Sequence, residues 1–305
     1  MMRYRFFTAD VFTSKRFGGN QLAVFPDASG LSDAQMQQIA QEFNLSETVF
    51  VLPPEHPEHT RRLRIFTPAR ELPFAGHPTV GAAFVLAAIG EIALSAARTP
   101  IVFEEGVGPV PVTITARDGQ PYAATLTTAV LPSFGPPPPD TAALAAMLAL
   151  ETAEVAIGDY APQGVSCGVP FLFVTVRNRA ALARARLRRD RWEETLANWW
   201  ANQVYLIAFD PELPDSHLRA RMFAPAMGIV EDPATGAAAA ALAGYLAVRD
   251  LSHTGTLRWV VEQGFEMGRP SILEVEADKR DGAIVAVRVG GASVLVSEGV
   301  MTVTA

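Results

Sequence analysis

The sequence is poor in cysteine, in charge and in long apolar runs. A single cysteine, Cys167, occurs in 305 residues, which excludes a disulfide framework or a thiolate metal site within one chain and points to a cytoplasmic setting. Charged residues make up 19% of the chain, below the usual quarter. Acidic residues outnumber basic ones, 32 to 25, for a net charge of -7, so no basic stripe for nucleic acid is expected. The one basic cluster, residues 184–191, alternates with Ala and Leu and reads as a solvated face. The most apolar stretch, residues 236–248, is too short to span a bilayer and ends at Arg249 and Asp250. The opening MMRYRFF lacks a long apolar core and a small-residue cleavage site, and reads as a strand, not a signal peptide. Neither a nucleic acid nor a membrane is an expected partner.

What is present is enough apolar material, 49%, for two ordinary domains, and a sequence that contains itself twice. Residues 64–83 read RIFTPARELPFAGHPTVGAA, and residues 221–238 read RMFAPAMGIVEDPATGAA. Each has Arg, an apolar residue, Phe, a small residue and Pro, then closes on x-Pro-x-x-Gly-Ala-Ala. His77 is thereby paired with Asp232, Pro78 with Pro233 and Gly81 with Gly236. Upstream, ETVFVL at 47–52 parallels QVYLIA at 203–208, and GNQLAV at 19–24 parallels GVPFLF at 168–173. Downstream, EGVGP at 105–109 resembles QGFEMGRP at 263–270. The period is about half the chain, which means a duplicated domain and not a solenoid of ~20–50-residue repeats. A stiff proline-rich stretch, LPSFGPPPP, lies between the halves. We place the domains at 1–128 and 129–305, with the last strand free to cross back to the first.

Local patterns set the candidate residues on elements. Ser32 and Gln35 form a capping box, and Met36, Ile39, Ala40 and Phe43 share one helical face. Glu47 therefore follows a helix and opens a β-rich run, a junction where a rigid strand aims a side chain. Residues 79–89 and 235–248 read as helices preceded by Pro78 and Pro233. Both are apolar all round and rich in Ala and Gly, hence buried, with strands wrapped closely about each.

Each repeat delivers a polar side chain, His77 or Asp232, and then opens a buried helix whose first N–H groups attract anions. A carboxylate would suit the amides near Gly236 and Ala237. If a pseudo-two-fold axis relates the halves, Glu47, His77 and Asp232 would surround its reacting carbons. Such a set suits general acid/base proton transfer, with positioned amides stabilising enol-like charge; it requires no metal and no organic cofactor. Plainer roles stand beside these. Glu47 also suits a strand cap or an arginine partner, His77 a hydrogen-bonded turn residue, and Asp232 a helix N-cap. His56 and His59 have an H-x-x-H spacing that suits a surface loop far better than zinc. Cys167 reads as a small buried residue.

At these residues the sequence resembles the phenazine-biosynthesis isomerase (PhzF-like) family. The matching runs are VFT at 11–13, FGGN at 17–20, NLSET at 44–48, ELPFAGHPT at 71–79, GIVEDPATG at 228–236 and QG…GRP at 263–270. The resemblance implies an α/β (α+β) diaminopimelate-epimerase-like fold: two pseudo-symmetric domains, each a curved, mostly antiparallel sheet around a central helix, with an active-site cleft between them. It further implies a homodimer that moves a proton on a small carboxylate-bearing metabolite without a cofactor. Glu47 would be the acid/base, His77 and Asp232 would contact substrate, and Asn20, Ser46, Gly76, Thr235, Gly236 and Ala237 would bind it. Ala237 stands where the family usually has Ser, so a hydroxyl worth roughly 1.5–3 kcal/mol to a charged ligand is missing. The fold's racemase relatives use two cysteines, a pairing this chain lacks. The rival to an isomerase is a non-catalytic binder of small carboxylates that keeps the cleft.

Overall fold

The computed structural model describes residues 1–155 and 158–304. The chain divides into two compact units, residues 1–129 with 290–305, and residues 130–289. Residues 290–304 thus pack with the first unit, and the second unit ends at Val289.

The first unit runs β1 (Met2–Val11), β2 (Asn20–Phe25), α1 (Asp33–Phe43), β3 (Glu47–Leu52), β4 (Arg61–Phe66), a short β5 (Glu71–Leu72), α2 (Gly76–Ala88), β6 (Arg98–Glu105), β7 (Gly108–Arg117) and β8 (Gln120–Thr127). The second runs β9 (Ser133–Phe134), α3 (Thr141–Met147), β10 (Gln163–Ser166), β11 (Pro170–Thr175), α4 (Arg179–Arg184), α5 (Arg189–Thr195), β12 (Gln203–Ala208), β13 (Leu218–Ala224), β14 (Ile229–Asp232), α6 (Gly236–Ala247), β15 (Gly255–Gln263) and β16 (Ser271–Arg280). A long strand, β17 (Ala283–Val303), runs from the second unit into the first.

Strand pairing closes the first unit's sheet on itself. β1 pairs with β2, β2 with β3, β3 with β4, β4 with β6, β6 with β7 and β7 with β8, while β17 pairs with both β8 and β1. Two of these contacts are parallel, β2–β3 and β4–β6, as they must be when a helix carries the chain back to the same edge. The second unit repeats this order. β11 and β12 are parallel across α4 and α5, and β13 and β15 are parallel across α6. The duplication in the sequence is therefore a duplication of topology.

Inside the first sheet sits α2, buried from Gly76 to Ala87. Side-chain alternation explains how the strands serve two cores. On β2 and β3, Phe25 and Phe50 join the cluster under α1, with Met36 and Ile39, while Leu22 faces α2 and touches the space above Gly81. In the second unit α6 is buried from Ala238 to Ala247, and α3, α4 and α5 pack Leu144, Leu182 and Trp192 against the other face of β11–β13. Among the described residues no helix is long and apolar enough to cross a membrane. The basic run at 184–191 is offset by acidic partners, Arg184 with Glu154, Arg188 with Asp190, Arg189 with Glu193 and Arg191 with Glu194.

The helix starts differ from those expected. α2 begins at Gly76, so His77 and Pro78 lie inside its first turn; proline is tolerated there because its missing N–H would have no intrahelical acceptor. α6 begins at Gly236 with Thr235 as N-cap, so Asp232 ends a strand and is not the cap. Close packing on α2 carries a prediction. A Cβ at Gly81 would stand 2.5 Å from Leu22 Cδ2 and 2.6 Å from Val11 Cγ2, both fully buried. Gly81→Val is expected to cost ~1–3 kcal/mol through overpacking, read from urea unfolding midpoints.

Candidate active site

Parallel pairing of β2 and β3 sets Leu22 beside Glu47, which brings Asn20, at the start of β2, to the same edge. The first turn of α2 supplies the third group. Glu47 Oε2 lies 3.4 Å from His77 Nε2, with side-chain exposures of 12% and 6%. Asn20 Nδ2 lies 3.4 Å from His77 Nδ1. Asn20 is itself placed by Gly19, whose positive φ and absent Cβ admit the Val11 carbonyl, 2.3 Å from where that Cβ would be. Burial pushes the His77 imidazole down to about 3, against a backbone hydrogen bond with Gln21 that pulls it up. His77 is therefore a neutral imidazole beside a carboxyl group, able to donate or accept a hydrogen bond but not to carry charge near neutral pH. Ser46 is half-buried next to Glu47, and Gly76 is buried next to His77.

The second unit builds a different arrangement on the equivalent segment. Asp232 is buried and accepts a 2.5 Å hydrogen bond from Thr235 Oγ1. Gln263, the last residue of β15, ties the segment together. Its Nε2 donates to the Asp232 carbonyl at 2.8 Å and to Thr235 Oγ1 at 3.0 Å. Its Oε1 accepts from Thr235 N at 3.1 Å and from the Tyr205 hydroxyl at 2.9 Å. Burial and the nearby Asp232 both push Tyr205 upward, so it stays a phenol. Gly264 follows with φ +77°, and a Cβ there would sit 2.5 Å from the Pro233 carbonyl. Beyond this clamp α6 opens; Ala239 N bonds the Thr235 carbonyl, while the amides of Gly236, Ala237 and Ala238 have no intrahelical acceptor.

Glu47, His77, Asn20, Ser46 and Gly76 are thus brought together within the first unit, and Asp232, Thr235, Gly236 and Ala237 within the second. Gln263 and Tyr205 were not singled out by sequence reasoning. The signal available for Gln263 was its alignment with Glu105 ahead of a glycine in the downstream repeat.

Other candidates resolve into structural roles. A cavity of the first unit, about 730 Å³, is lined by His56, His59 and Glu104 and not by Glu47 or His77. Most of its charges are already paired: Arg62 with Glu55, Arg64 with Glu71, and His59 Nδ1 with Glu104 Oε1 at 2.9 Å. Burial pushes Glu104 up, but amide donors from Glu55 and His56, with His59, outweigh it and hold the carboxylate at about 2. His56 and His59 belong to this capped turn, and among the described residues no three of His, Cys, Asp or Glu are grouped to hold a metal. Burial pushes the Cys167 thiol up to about 12, the opposite of an activated thiolate.

Arg221 braces the second site. Its Nε and Nη2 each lie 2.8 Å from Glu231, next to Asp232, and its Nη1 donates to the Leu182 and Ala185 carbonyls at 2.8 and 2.9 Å. Arg221 and Glu231 are 4% and 15% exposed. Arg221→Met is expected to cost ~3–5 kcal/mol, the loss from breaking a buried pair, measured by urea unfolding. Arg64→Met, whose partner Glu71 is 42% exposed, is expected to cost less.

The sequence matches the profile of the Phenazine biosynthesis-like protein family (PhzC-PhzF) over residues 9–299. It is 41% identical to an uncharacterized isomerase of Mesorhizobium japonicum over 293 residues, 95% of this chain and 96% of that one. It is 34% identical to the trans-2,3-dihydro-3-hydroxyanthranilate isomerase of Pseudomonas aeruginosa over 304 residues, covering 97% and 98% of the two chains. In structure it is similar to a phenazine biosynthesis protein of the PhzF family from Bacillus anthracis, with a TM-score of 0.87 and 26% identity over 99% of this chain and all of the other.

Proposed function

The chain belongs to the Phenazine biosynthesis-like family and is an isomerase, and from that premise we propose that it moves a proton on a small carboxylate-bearing metabolite, with Glu47 as the acid/base and no organic cofactor. The observation that carries this reading is the 3.4 Å approach of Glu47 to a buried, neutral His77.

The chemistry follows from the two side chains. Glu47 takes a proton from carbon, and the electrons of that C–H bond shift the adjacent double bond. The same carboxyl then returns the proton to the far carbon, so the isomerisation balances with no other reactant. His77 faces the negative charge that develops. A neutral imidazole polarises by hydrogen bonding without neutralising Glu47, whereas an imidazolium would lock the carboxylate as its counter-ion and lower its basicity. Within the second unit, Asp232, Thr235 and the first amides of α6 form a polar helix start suited to receiving a carboxylate. With Ala at position 237, anion capture there rests on backbone N–H groups.

The substrate class is open to a direct screen. Amino, hydroxy and cyclic dienoic acids, trans-2,3-dihydro-3-hydroxyanthranilate among them, are incubated with the enzyme in deuterated water and followed by NMR. At least one is expected to take up deuterium at carbon. Glu47→Gln is expected to slow that uptake by ~10²–10⁴-fold while ligand binding persists. Uptake by the variant at the wild-type rate would remove Glu47 from the mechanism. A ligand that raises the melting temperature yet emerges unlabelled would instead support a sensing role.

A further inference from the structure

The ends of β6 and β15 occupy equivalent places in the two units, and comparing them isolates one buried group that the mechanism above does not use. Each strand lies parallel to its neighbour in the same register, Arg62 beside Glu104 and Arg219 beside Glu262. The penultimate residue does the same work in both. Glu104 accepts from the amides of Glu55 and His56, both at 2.7 Å, and Glu262 accepts from those of Glu212 and Leu213. The last residue differs. In the second unit it is Gln263, a neutral amide that donates and accepts at once. In the first it is Glu105.

Glu105 is 8% exposed. Its Oε1 lies 2.7 Å from Thr79 Oγ1, and Thr79 Oγ1 lies 2.8 Å from the Ala75 carbonyl. A hydroxyl carries one hydrogen. Were Glu105 ionised, Thr79 would face two acceptors with one proton, and one of these short contacts would set lone pair against lone pair. If Glu105 carries its proton, it donates to Thr79, Thr79 donates to Ala75, and every close oxygen pair has a hydrogen between its members. We propose that Glu105 is a positioning residue that works in its protonated form as the counterpart of Gln263, clamping the Ala75–Thr79 turn so that His77 stays aimed at Glu47. This rests on the reading of Glu47 and His77 as the reacting pair.

The surroundings agree. Burial pushes Glu105 up to about 8, against the Thr79 hydrogen bond that lowers it. The charged groups on the elements around it are committed elsewhere. On β6, Glu104 is held by amides and His59. On β4, Arg61 reaches Glu91, Arg62 pairs with Glu55, and Arg64 with Glu71 and Asp33. The only ionisable residue of α2 is His77, and β7 carries no charge before Arg117 at its far end. Gly106 allows the clamp to close, since a Cβ there would meet the Pro73 backbone at 2.8 Å.

The test uses Glu105→Gln, Glu105→Leu and Thr79→Val in the full chain. An acid whose folded pKa lies above its unfolded value binds its proton more tightly when folded, so stability falls as pH rises from the unfolded value towards the folded one. Glu105→Gln removes that slope. Its melting temperature is expected to gain on the wild type steadily from about pH 5 to about pH 8, and its infrared difference spectrum at neutral pH is expected to show the loss of a protonated carboxyl band. Hydrogen exchange of the amides of Gly76, His77, Thr79 and Val80 is expected to speed up in Glu105→Leu and Thr79→Val and to be restored in Glu105→Gln. A carboxylate band in place of the acid, a melting-temperature gap flat with pH, or exchange as fast in Glu105→Gln as in Glu105→Leu would each overturn the proposal. None of these readouts needs a substrate, so they stand or fall separately from Glu47→Gln, whose unchanged activity would remove only the catalytic purpose of the clamp.

Discussion

A helix buried on every side still has a first turn, and the first N–H groups of that turn have no acceptor within the helix. This constraint organises both units. α2 and α6 satisfy the strands around them with Ala, Gly, Val and Leu along their length. At their starts the apolar wall must give way to polar side chains that hold the turn and leave amides for something else. The candidate catalytic groups are found where this break occurs, because a hydrogen-bonding edge is the one place in such a core where a histidine or an aspartate is tolerated without partners from water.

Duplication supplied two such edges, and they have diverged in charge. The second unit ends its clamp in Gln263, which makes four hydrogen bonds and needs no proton exchange to do so. The first ends it in Glu105 and places a neutral histidine in the turn itself. The asymmetry matters chemically. The acid/base role proposed for Glu47 needs neighbours that do not fix its charge, and burial keeps His77 beside it uncharged. The one thiol of this chain, Cys167, is buried and its pKa is raised, the opposite of an activated thiolate.

Much of this was legible in the sequence. The paired segments at 64–83 and 221–238 announced the two units, and the capping box at Ser32 and Gln35 forms as read, with both reciprocal hydrogen bonds. The all-round apolar character of the two Ala-rich segments identified the central helices, and the helix-to-strand junction put Glu47 at the start of β3. What escaped was set by contacts distant in sequence. Proline at 78 reads as a boundary in the sequence, but a proline is tolerated within the first turn, and α2 starts three residues earlier, at Gly76. The Gln263 and Glu105 clamps reach back 28 and 26 residues to Thr235 and Thr79, and no local periodicity reports such a bond. The return of the last strand to the first unit was left open by the sequence, and β17 makes it at Gly290.

The account turns on His77 being an uncharged partner of Glu47. A pH titration of the imidazole nitrogens by NMR in isotopically labelled protein measures this directly. The account predicts a neutral ring from about pH 4 upwards. A titration midpoint near the ordinary 6.5 for histidine, with an imidazolium paired to Glu47 below it, would contradict it.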